Sequence, residues 1–332
     1  MHILVTGGVG YVGSHLVRAL RDAGHGVVIV DDLSSGHRQT APAGVELHVG
    51  SCGDAEVLDR AAAGGLPDAV MHLAAKCSVE ESVAAPQRYY RANLSDSLGL
   101  MDWMVTSGVP WLVHSSTCAV YGAPRAQRID EGVCARPMNP YGASKLAVDL
   151  ALQAYDDAFD LRAVSLRYFN AAGAHPDGTL GEDKTPASNL IPILFAVALG
   201  QRDAVHVFGN DYPTPDGTGV RDYIHVMDLA AAHLAALDHL AGGGRGEVFN
   251  LGTGVGHSVR EMVQRARAVT GEPLPTREAP RRAGDPPHLV ADPRRAAATL
   301  GWRARFDIDD ILSDAWRWRV AHPHGYAVEV AQ

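Results

Sequence analysis

Residues 1–20 read MHILVTGGVGYVGSHLVRAL and carry the strongest signal for the fold. A short apolar run is followed by spaced glycines and then by a helical pattern from about Val12 to Asp22. The spaced glycines are Gly7, Gly10 and Gly13. A strand, a glycine turn and a helix in this order let the backbone approach a pyrophosphate at the positive end of the helix. The stretch therefore predicts a dinucleotide-binding unit.

The next apolar run, VVIVDD, ends in Asp31 at the interval expected after the glycine turn. A carboxylate there accepts a hydrogen bond from an adenosine ribose 2′-hydroxyl and repels the 2′-phosphate of NADP. Arg38 lies nearby and could weaken that repulsion. The residues nevertheless favour NAD as the cofactor.

Further strand-like runs, VELHVG, DAVMHLAA, WLVHSSTCAV and RAVSLRYFN, alternate with helical patterns. This alternation predicts an α/β protein with a doubly wound parallel Rossmann sheet and ligand sites at the carboxyl ends of its strands. His72 to Ala75 and Ser115 to Thr117 follow such strands. We expect His72 to be a packed strand-end histidine and Asn93 to open a helix.

We predict an NAD-binding domain over residues 1–170 and a smaller C-terminal α/β domain for the substrate over residues 171–332. Residues 222–255, approximately, are expected to return in part to the first domain as a strand and a helix. Residues 273–287 are rich in Pro and Arg, which predicts a loop.

Composition narrows the class of protein. The formal net charge is −9, with 46% hydrophobic and 20% charged residues. An acidic chain of this kind argues against nucleic acid or an anionic membrane as its partner, and no apolar stretch approaches a membrane span. The four cysteines have no C-x-x-C spacing, so we expect no metal site and free thiols in the reducing cytoplasm.

Tyr141 and Lys145 lie four residues apart in NPYGASKLAVDL, a spacing that places both on one face of a helix. Tyrosine titrates near ~10 and is a poor base at neutral pH. An ammonium ~4 Å from the phenol, at an effective dielectric near 20, favours the phenolate by roughly 4 kcal/mol, or about three pKa units. The pair is therefore a candidate general base with its activating cation.

Several landmarks extend over the whole chain, among them LVTGGVGYVGSH, SSTCAVYG, NPYGASK, LRYFNAAGAHPDG and FGNDYPTPDGTGVRDYIHVMDLA. On these motifs the chain resembles the extended short-chain dehydrogenase/reductase family, and within it the nucleotide-sugar 4-epimerases. The first and third motifs are shared by many sugar-nucleotide enzymes, whereas the last block is more specific to epimerases. Homodimers are usual in the family.

The resemblance implies a role for particular residues. Tyr141 would be the general base and acid, Lys145 would bind the nicotinamide ribose and lower the tyrosine pKa, and Thr117 would hydrogen-bond the 4-oxygen of the sugar. Positions implied to contact the dinucleotide, besides the glycines, Tyr141 and Lys145, are Tyr11, Val12, Asp31, Asp32, Ser34, Ser51, Cys52, Leu73, Ala74, Ala75, Asn93, Ser115 and Tyr168.

Other positions are implied to bind the uridine diphosphate and the sugar. Besides Thr117 and Tyr141 they are Asn170, Asn189, Leu190, His206, Phe208, Arg221, Arg282, Asp285 and Leu289. Leu289 aligns with a bulky Tyr gate found in glucose/galactose-only epimerases. Two positions depart from the family pattern. Ser51 replaces an Asp that commonly contacts the adenine amine, and Cys77 replaces a basic residue near the pyrophosphate.

The reaction implied by this resemblance inverts carbon 4 of UDP-glucose or UDP-galactose through reversible hydride transfer to tightly bound NAD and a 4-keto intermediate. A UDP-N-acetylglucosamine or UDP-pentose 4-epimerase would use the same residues. A 4,6-dehydratase would carry an Asp-Glu pair after Thr117, where this chain has Cys118 and Ala119. We see no dedicated basic contact for the extra carboxylate of a UDP-glucuronate decarboxylase. A catalytically inactive NAD-sensing module would have no reason to retain Thr117, Tyr141 and Lys145 together.

Overall fold

The computed structural model describes residues 1–184, 187–282 and 285–326. The strands in these residues are β1 (His2–Thr6), β2 (Gly26–Asp31), β3 (Glu46–Val49), β4 (Ala69–His72), β5 (Trp111–Thr117), β6 (Arg162–Tyr168), β7 (Asn170–Ala172), β8 (Val205–Phe208), β9 (Val220–Arg221), β10 (Tyr223–His225), β11 (Glu247–Leu251), β12 (His257–Ser258), β13 (Thr276–Ala279) and β14 (His288–Leu289).

The α-helices in the same residues are α1 (Tyr11–Asp22), α2 (Ala55–Ala61), α3 (Val79–Ala84), α4 (Pro86–Tyr89), α5 (Asp96–Ser107), α6 (Pro140–Phe159), α7 (Leu190–Ala198), α8 (Val226–Ala241), α9 (Val259–Thr270), α10 (Arg294–Thr299) and α11 (Ile308–Ala321). Short 3-10 turns span Arg38–Thr40 and Cys118–Tyr121, and a π-helical turn spans Tyr90–Ser95.

A seven-stranded parallel sheet in the order β11-β6-β5-β4-β1-β2-β3 forms the centre of the molecule. Successive residues of β1 point to opposite faces of the sheet, as in any β-strand, and therefore pack in different hydrophobic cores. Ile3 and Val5 pack with residues of α1 and α8, whereas Leu4 packs with residues of α2, α5 and α6. Helices therefore cover both faces, and the predicted doubly wound Rossmann sheet is confirmed.

The glycine turn after β1 has a steric cause. Gly7 has a φ of 74°, and a Cβ built on it would lie 2.5 Å from the backbone nitrogen of Ala74. A Cβ at Gly13 would lie 2.0 Å from the carbonyl oxygen of Gly7. The turn can therefore pass between the start of α1 and the segment after β4 only if these positions lack side chains.

Helix α6 carries the Tyr-Lys pair and begins with a defined cap. Asn139 accepts a hydrogen bond from the backbone N–H of Gly142 at 2.8 Å, and Pro140 occupies the first turn. Both residues favour a helix start at this point. Tyr141 consequently lies in the first turn, with Lys145 one turn further along.

Outside the large sheet, β7 pairs with β10, β8 with β13, and β9 with both β12 and β14. Residues of α7, α9 and α11 form a separate core in this part of the molecule. The loop predicted over residues 273–287 is wrong for Thr276–Ala279, because these residues pair with β8 as β13. Positions 283 and 284 lie outside the described residues.

The segment around residues 222–255 is divided between two sheets. β10 pairs with β7 outside the large sheet, so the strand that precedes the helix does not join it. Helix α8 packs on the large sheet, and the strand after it, β11, extends that sheet beside β6. The domain division at about residue 170 stays a prediction.

In the part of the chain that the structure describes, no helix is both long and apolar enough to cross a membrane. Over the same residues no cluster of His, Cys, Asp or Glu is arranged to hold a metal ion. Cys52, Cys77, Cys118 and Cys134 are free cysteines.

Candidate active site

A cavity of about 560 Å³ opens at the carboxyl ends of the strands of the large sheet. The predicted site residues that line it are Gly7, Gly10, Tyr11, Val12, Gly13, Asp31, Asp32, Ser34, Ser51, Cys52, Leu73, Ala74, Ala75, Ser115, Thr117, Tyr141, Lys145, Tyr168, Asn170, Asn189, Leu190, Arg221, Asp285 and Leu289. Residues from both halves of the chain therefore meet in one cavity.

The predicted reacting residues lie where β5 ends and α6 begins. Thr117 is the last residue of β5, and its hydroxyl accepts a hydrogen bond from the backbone N–H of Ala119 at 3.2 Å. The same side chain neighbours the phenol of Tyr141 and lowers its pKa. Lys145 lines the same cavity and is only 2% exposed.

Burial dominates the electrostatics of Tyr141. Desolvation raises the pKa of its phenol well above the ordinary value, and the neighbouring Thr117 hydroxyl opposes this rise only in part. Burial therefore acts against the expected lowering of the phenol pKa by Lys145, which stays a prediction. Burial also lowers the pKa of Lys145 to about 8, whereas the Asp149 carboxylate raises it.

At the other end of the cavity, the backbone holds the Asp31 carboxylate in place. It accepts hydrogen bonds from the N–H groups of Val9 at 3.2 Å and Leu33 at 2.9 Å. Burial raises the pKa of this carboxyl, and the two hydrogen bonds lower it. Asp31 thus ends β2 at the edge of the cavity, as the motif predicts.

Asp96 is a cavity residue that the sequence analysis missed. It is the first residue of α5, and its side chain neighbours that of Ser51. Burial raises the pKa of the Asp96 carboxyl, and the Ser51 hydroxyl lowers it. Its position 45 residues after Ser51 left no local motif to indicate that the two side chains meet.

The substrate end of the cavity contains paired polar groups. The guanidinium of Arg221 forms an ion pair with the Asp285 carboxylate, and both residues line the cavity. The amide of Asn189 donates to Glu182 at 2.6 Å. Burial raises the pKa of Glu182 to about 7. Glu182 also lines the cavity and was not predicted.

Four predicted contact residues do not belong to the described lining of the cavity: Asn93, His206, Phe208 and Arg282. Phe208 and Arg282 contact each other instead, with the guanidinium carbon 3.9 Å from the ring centroid. The ring of His206 lies 6.1 Å from that of Phe208 in an edge-on arrangement. The structure therefore groups these three residues together, outside the described cavity wall.

Asn93 does not open a helix, so that prediction is wrong. It is fully buried within the π-helical turn, where its side chain accepts from the N–H of Lys76 at 2.8 Å and donates to the carbonyl of Lys76 at 3.0 Å. It also donates to the hydroxyl of Ser144 at 3.1 Å. Because these bonds satisfy its amide, Asn93 holds the segment after β4 against α6.

His72 is the packed strand-end histidine that the sequence predicts. Its two ring nitrogens lie 2.7 Å from the hydroxyl of Thr6 and 2.7 Å from that of Ser97. Burial lowers its pKa to about 3. It is therefore a neutral structural residue.

Comparison with known proteins points to one family. The model of the NAD dependent epimerase/dehydratase family matches residues 3–252. A UDP-glucose 4-epimerase of Halalkalibacterium halodurans is 46% identical over 330 residues, covering 99% of this chain and 98% of that protein.

Solved structures agree with this match. One crystal structure of a UDP-glucose 4-epimerase has a TM-score of 0.96 at 43% identity and covers 99% of this chain and 100% of that one. The Brucella ovis UDP-glucose 4-epimerase in complex with NAD has a TM-score of 0.92 at 43% identity, covering 95% and 97% of the two chains. Sequence and fold thus agree over nearly the whole length, and the chain belongs to the NAD dependent epimerase/dehydratase family.

Proposed function

We propose that the chain interconverts UDP-glucose and UDP-galactose by inverting carbon 4 of the hexose, with NAD as its cofactor. The observation that carries this function is the meeting of Thr117, Tyr141 and Lys145 in the wall of one cavity with the glycine turn and Arg221. The UDP-glucose 4-epimerases described above cover nearly all of the chain, which supports the same activity.

The glycine turn fits a dinucleotide. Gly10 caps α1 without a side chain, so no side-chain hydrogen bond covers the first N–H groups of the helix. Free N–H groups at a helix start attract a pyrophosphate, and the crowding at Gly7 and Gly13 leaves no side chain in its way. Asp31 would hold the adenosine ribose. NAD, when bound, supplies the acceptor and donor of hydride for carbon 4.

Tyr141 is the proposed proton carrier at the 4-hydroxyl. Its phenol and the Thr117 hydroxyl are neighbours in the cavity wall, so one substrate oxygen placed between them could contact both side chains. The Lys145 ammonium, one helical turn from Tyr141 in the same wall, would favour the phenolate. Because burial raises the phenol pKa in the chain alone, we infer that bound NAD, with its positively charged nicotinamide, contributes to activation.

The uridine diphosphate would be held by the opposite wall. Arg221 provides the positive charge that an acidic protein needs for a diphosphate. Asn170, Asn189 and Leu190 line the cavity beside it. Tight binding of the nucleotide, with few directional contacts to the sugar, would let a 4-keto sugar rotate and present either face to the nicotinamide.

The residues after Thr117 support epimerisation over dehydration. Cys118 follows directly and is buried, which raises the pKa of its thiol to about 12. Ala119 has no titratable group. Neither residue can serve as the additional acid and base that elimination across carbons 5 and 6 requires.

Leu289 supports a second candidate substrate, UDP-N-acetylglucosamine. Its side chain lines the cavity and is only half-buried. A leucine occupies less space than tyrosine and presents no hydroxyl, which leaves room beside carbon 2 of the hexose. A UDP-pentose would fit the same chemistry.

Two further proposals concern assembly and compartment. We propose that the chain forms a homodimer, with the exposed side chain of Leu150 on α6 in the contact. The free cysteines fit the reducing conditions of the cytoplasm, which is the proposed location.

The direct test incubates the purified protein with UDP-galactose and measures UDP-glucose by chromatography. We expect conversion without stoichiometric consumption of added NAD. Tyr141→Phe should lower kcat by roughly 10²- to 10⁴-fold, because it removes the proton carrier. Phe159→Leu, at the exposed end of the same helix, is the control and should retain activity. Full activity of Tyr141→Phe would overturn the assignment.

A further inference from the structure

Asp149 is a buried carboxylate that the proposed reaction does not use. It lies on α6 four residues after Lys145 and eight after Tyr141, so the three side chains share one face of the helix. Its side chain is 3% exposed. A buried charge of this kind is stable only when it is paired and hydrogen-bonded.

The partners of Asp149 come from two neighbouring strands of the sheet. On β5, the hydroxyl of Ser116 donates to the carboxylate at 3.1 Å. On β6, the hydroxyl of Ser165 donates at 2.9 Å and Nε of Arg167 donates at 2.8 Å. One carboxylate therefore joins α6 to both strands.

The strand positions that Asp149 contacts adjoin the reacting residues. Ser116 precedes Thr117, and Arg167 precedes Tyr168. Ser116 and Arg167 are also direct partners in the pairing of β5 with β6. Fixing α6 at this level therefore fixes Tyr141 and Lys145 relative to Thr117.

The same network continues to the substrate side of the molecule. Nη1 of Arg167 lies 3.1 Å from the hydroxyl of Tyr121, which donates to Asn250 at 2.7 Å. The amide of Asn250 donates to the carbonyl of Ile129 at 2.8 Å. The N–H of Ile129 in turn donates to Val290 at 2.9 Å, one residue after Leu289.

We propose that Asp149 is a positioning residue for the epimerase reaction: its carboxylate holds α6 on β5 and β6, which keeps Tyr141 and Lys145 in place relative to Thr117, and it sets a buried negative charge one helical turn from Lys145. Only the kinetic tests of this inference rest on the proposed function. The charge of Lys145 is a separate, directly measurable property.

Electrostatics supports this role. Burial lowers the pKa of Lys145 to about 8, and Asp149 is the first of the groups that oppose this shift. The other titratable or charged groups around the ammonium are Cys52 after β3, Cys77 after β4, His72 on β4 and His114 on β5. Burial lowers the pKa values of both histidines, so they are neutral and add no further positive charge beside the ammonium.

The test follows the protonation of Lys145 in the protein with its NAD. The chain has three lysines, so labelling lysine with ¹³C at Cε gives three NMR signals, and Lys145→Arg identifies the one of interest. In Asp149→Asn the Lys145 titration should move to lower pH by roughly one unit, because the opposite charge is removed. Asp149→Glu should restore part of the shift.

Kinetics provides the second readout. If Lys145 must be charged, kcat falls as pH rises through its pKa, and this alkaline limb should move to lower pH in Asp149→Asn. At neutral pH kcat of Asp149→Asn should fall roughly tenfold or more, because the reacting groups are misplaced. KM should change less, because the residues that bind the nucleotide are unaffected. If wild type lacks epimerase activity, the proposed function fails, but the lysine titration still tests this inference.

Asp228→Asn is the matched control. Asp228 is another fully buried carboxylate, on α8, and it accepts hydrogen bonds from the N–H groups of Arg305 and Phe306. Its removal should lower stability without moving the Lys145 titration. An identical Lys145 titration in wild type and Asp149→Asn would overturn the proposal and leave Asp149 a purely structural residue.

Ser116→Ala covers the case in which Asp149→Asn does not fold. This variant keeps all charges and releases only the bond from β5 to the carboxylate. It should lower kcat roughly three- to tenfold while leaving the melting temperature within a few degrees of wild type. An unchanged kcat would contradict the role of the carboxylate in holding α6 against β5.

Discussion

Ser51 and Asp96 form a polar pair in the wall of the cavity, close to Asp32. Family resemblance places an adenine-contacting Asp at position 51, where this chain has serine. The structure brings another carboxylate to that place, because Asp96 at the start of α5 lines the same cavity next to Ser51, which lowers its pKa. We infer that Asp96 takes the role of the missing Asp and accepts from the adenine amine.

Asp96→Ala should therefore weaken NAD binding about tenfold, since it removes a charged hydrogen-bond acceptor at a half-buried site. Isothermal titration of NAD into protein freed of its cofactor measures the effect. The control is Asp22→Ala at the exposed end of α1, which should leave affinity unchanged. Equal affinities for both variants and wild type would exclude Asp96 from the adenosine site.

At the scale of elements, the turn between β1 and α1 depends on close backbone approach as well as on dihedral angle. Gly7 has a φ of 74°, and its added Cβ would meet three backbone atoms within 2.8 Å. Gly108 at the end of α5 has a φ of 77°, but an added Cβ there meets nothing within 4 Å. Comparing substitutions at the two glycines therefore separates the cost of a positive φ from the cost of steric overlap.

Gly108→Ala should cost about 1 kcal/mol of folding free energy, from the left-handed backbone alone. Gly7→Ala should cost clearly more, because Ala74 and the turn must move apart, and NAD affinity should fall with it. Urea denaturation followed by circular dichroism measures the first quantity, and titration with NAD measures the second. Equal losses of stability would show that only the dihedral angle matters at Gly7.

Local patterns predicted some elements well and others poorly, for physical reasons. The strand, glycine turn and helix at residues 1–22 and the start of α6 were predictable because their determinants are neighbours in sequence. Strand β13 was missed, since its pairing with β8 joins segments about 70 residues apart. Asn93 was misread as a helix start because its partners, Lys76 and Ser144, are also distant. Sequence spacing suggested the Tyr141–Lys145 pair but could not reveal how strongly burial acts on the phenol.

Strand β14 provides the element-scale test of substrate breadth. Leu289 pairs with Arg221 on β9, so it is held at a fixed distance from a predicted diphosphate contact. Leu289→Tyr should lower turnover of UDP-N-acetylglucosamine relative to UDP-galactose by roughly tenfold or more, because the larger side chain fills space beside carbon 2. Coupled assays on both substrates give the ratio.

Leu66→Tyr adds the same ring at an exposed site outside the cavity wall and should leave that ratio unchanged. If Leu289→Tyr also keeps the wild-type ratio, the side chain at this position does not control substrate choice.

At the scale of the whole molecule, exposed apolar side chains occur on and beside two helices that pack together, α3 and α6. Leu150 on α6 and Val83 on α3 are each 65% exposed, and Tyr90 just after α4 is 41% exposed. Apolar side chains grouped on adjoining elements are typical of a contact surface. This surface is the proposed homodimer interface.

A homodimer with twofold symmetry places each interface residue in the contact twice. Leu150→Glu would therefore introduce two carboxylates into an apolar contact, and we expect it to shift the protein from dimer to monomer at micromolar concentration. Light scattering after size-exclusion chromatography measures the mass directly. Phe159→Glu is the matched control, since Phe159 is 57% exposed on the same helix but lies two and a half turns away, on the opposite side. The control should remain dimeric. A monomeric wild type, or a dimer that survives Leu150→Glu, would show that this surface does not join two copies of the chain.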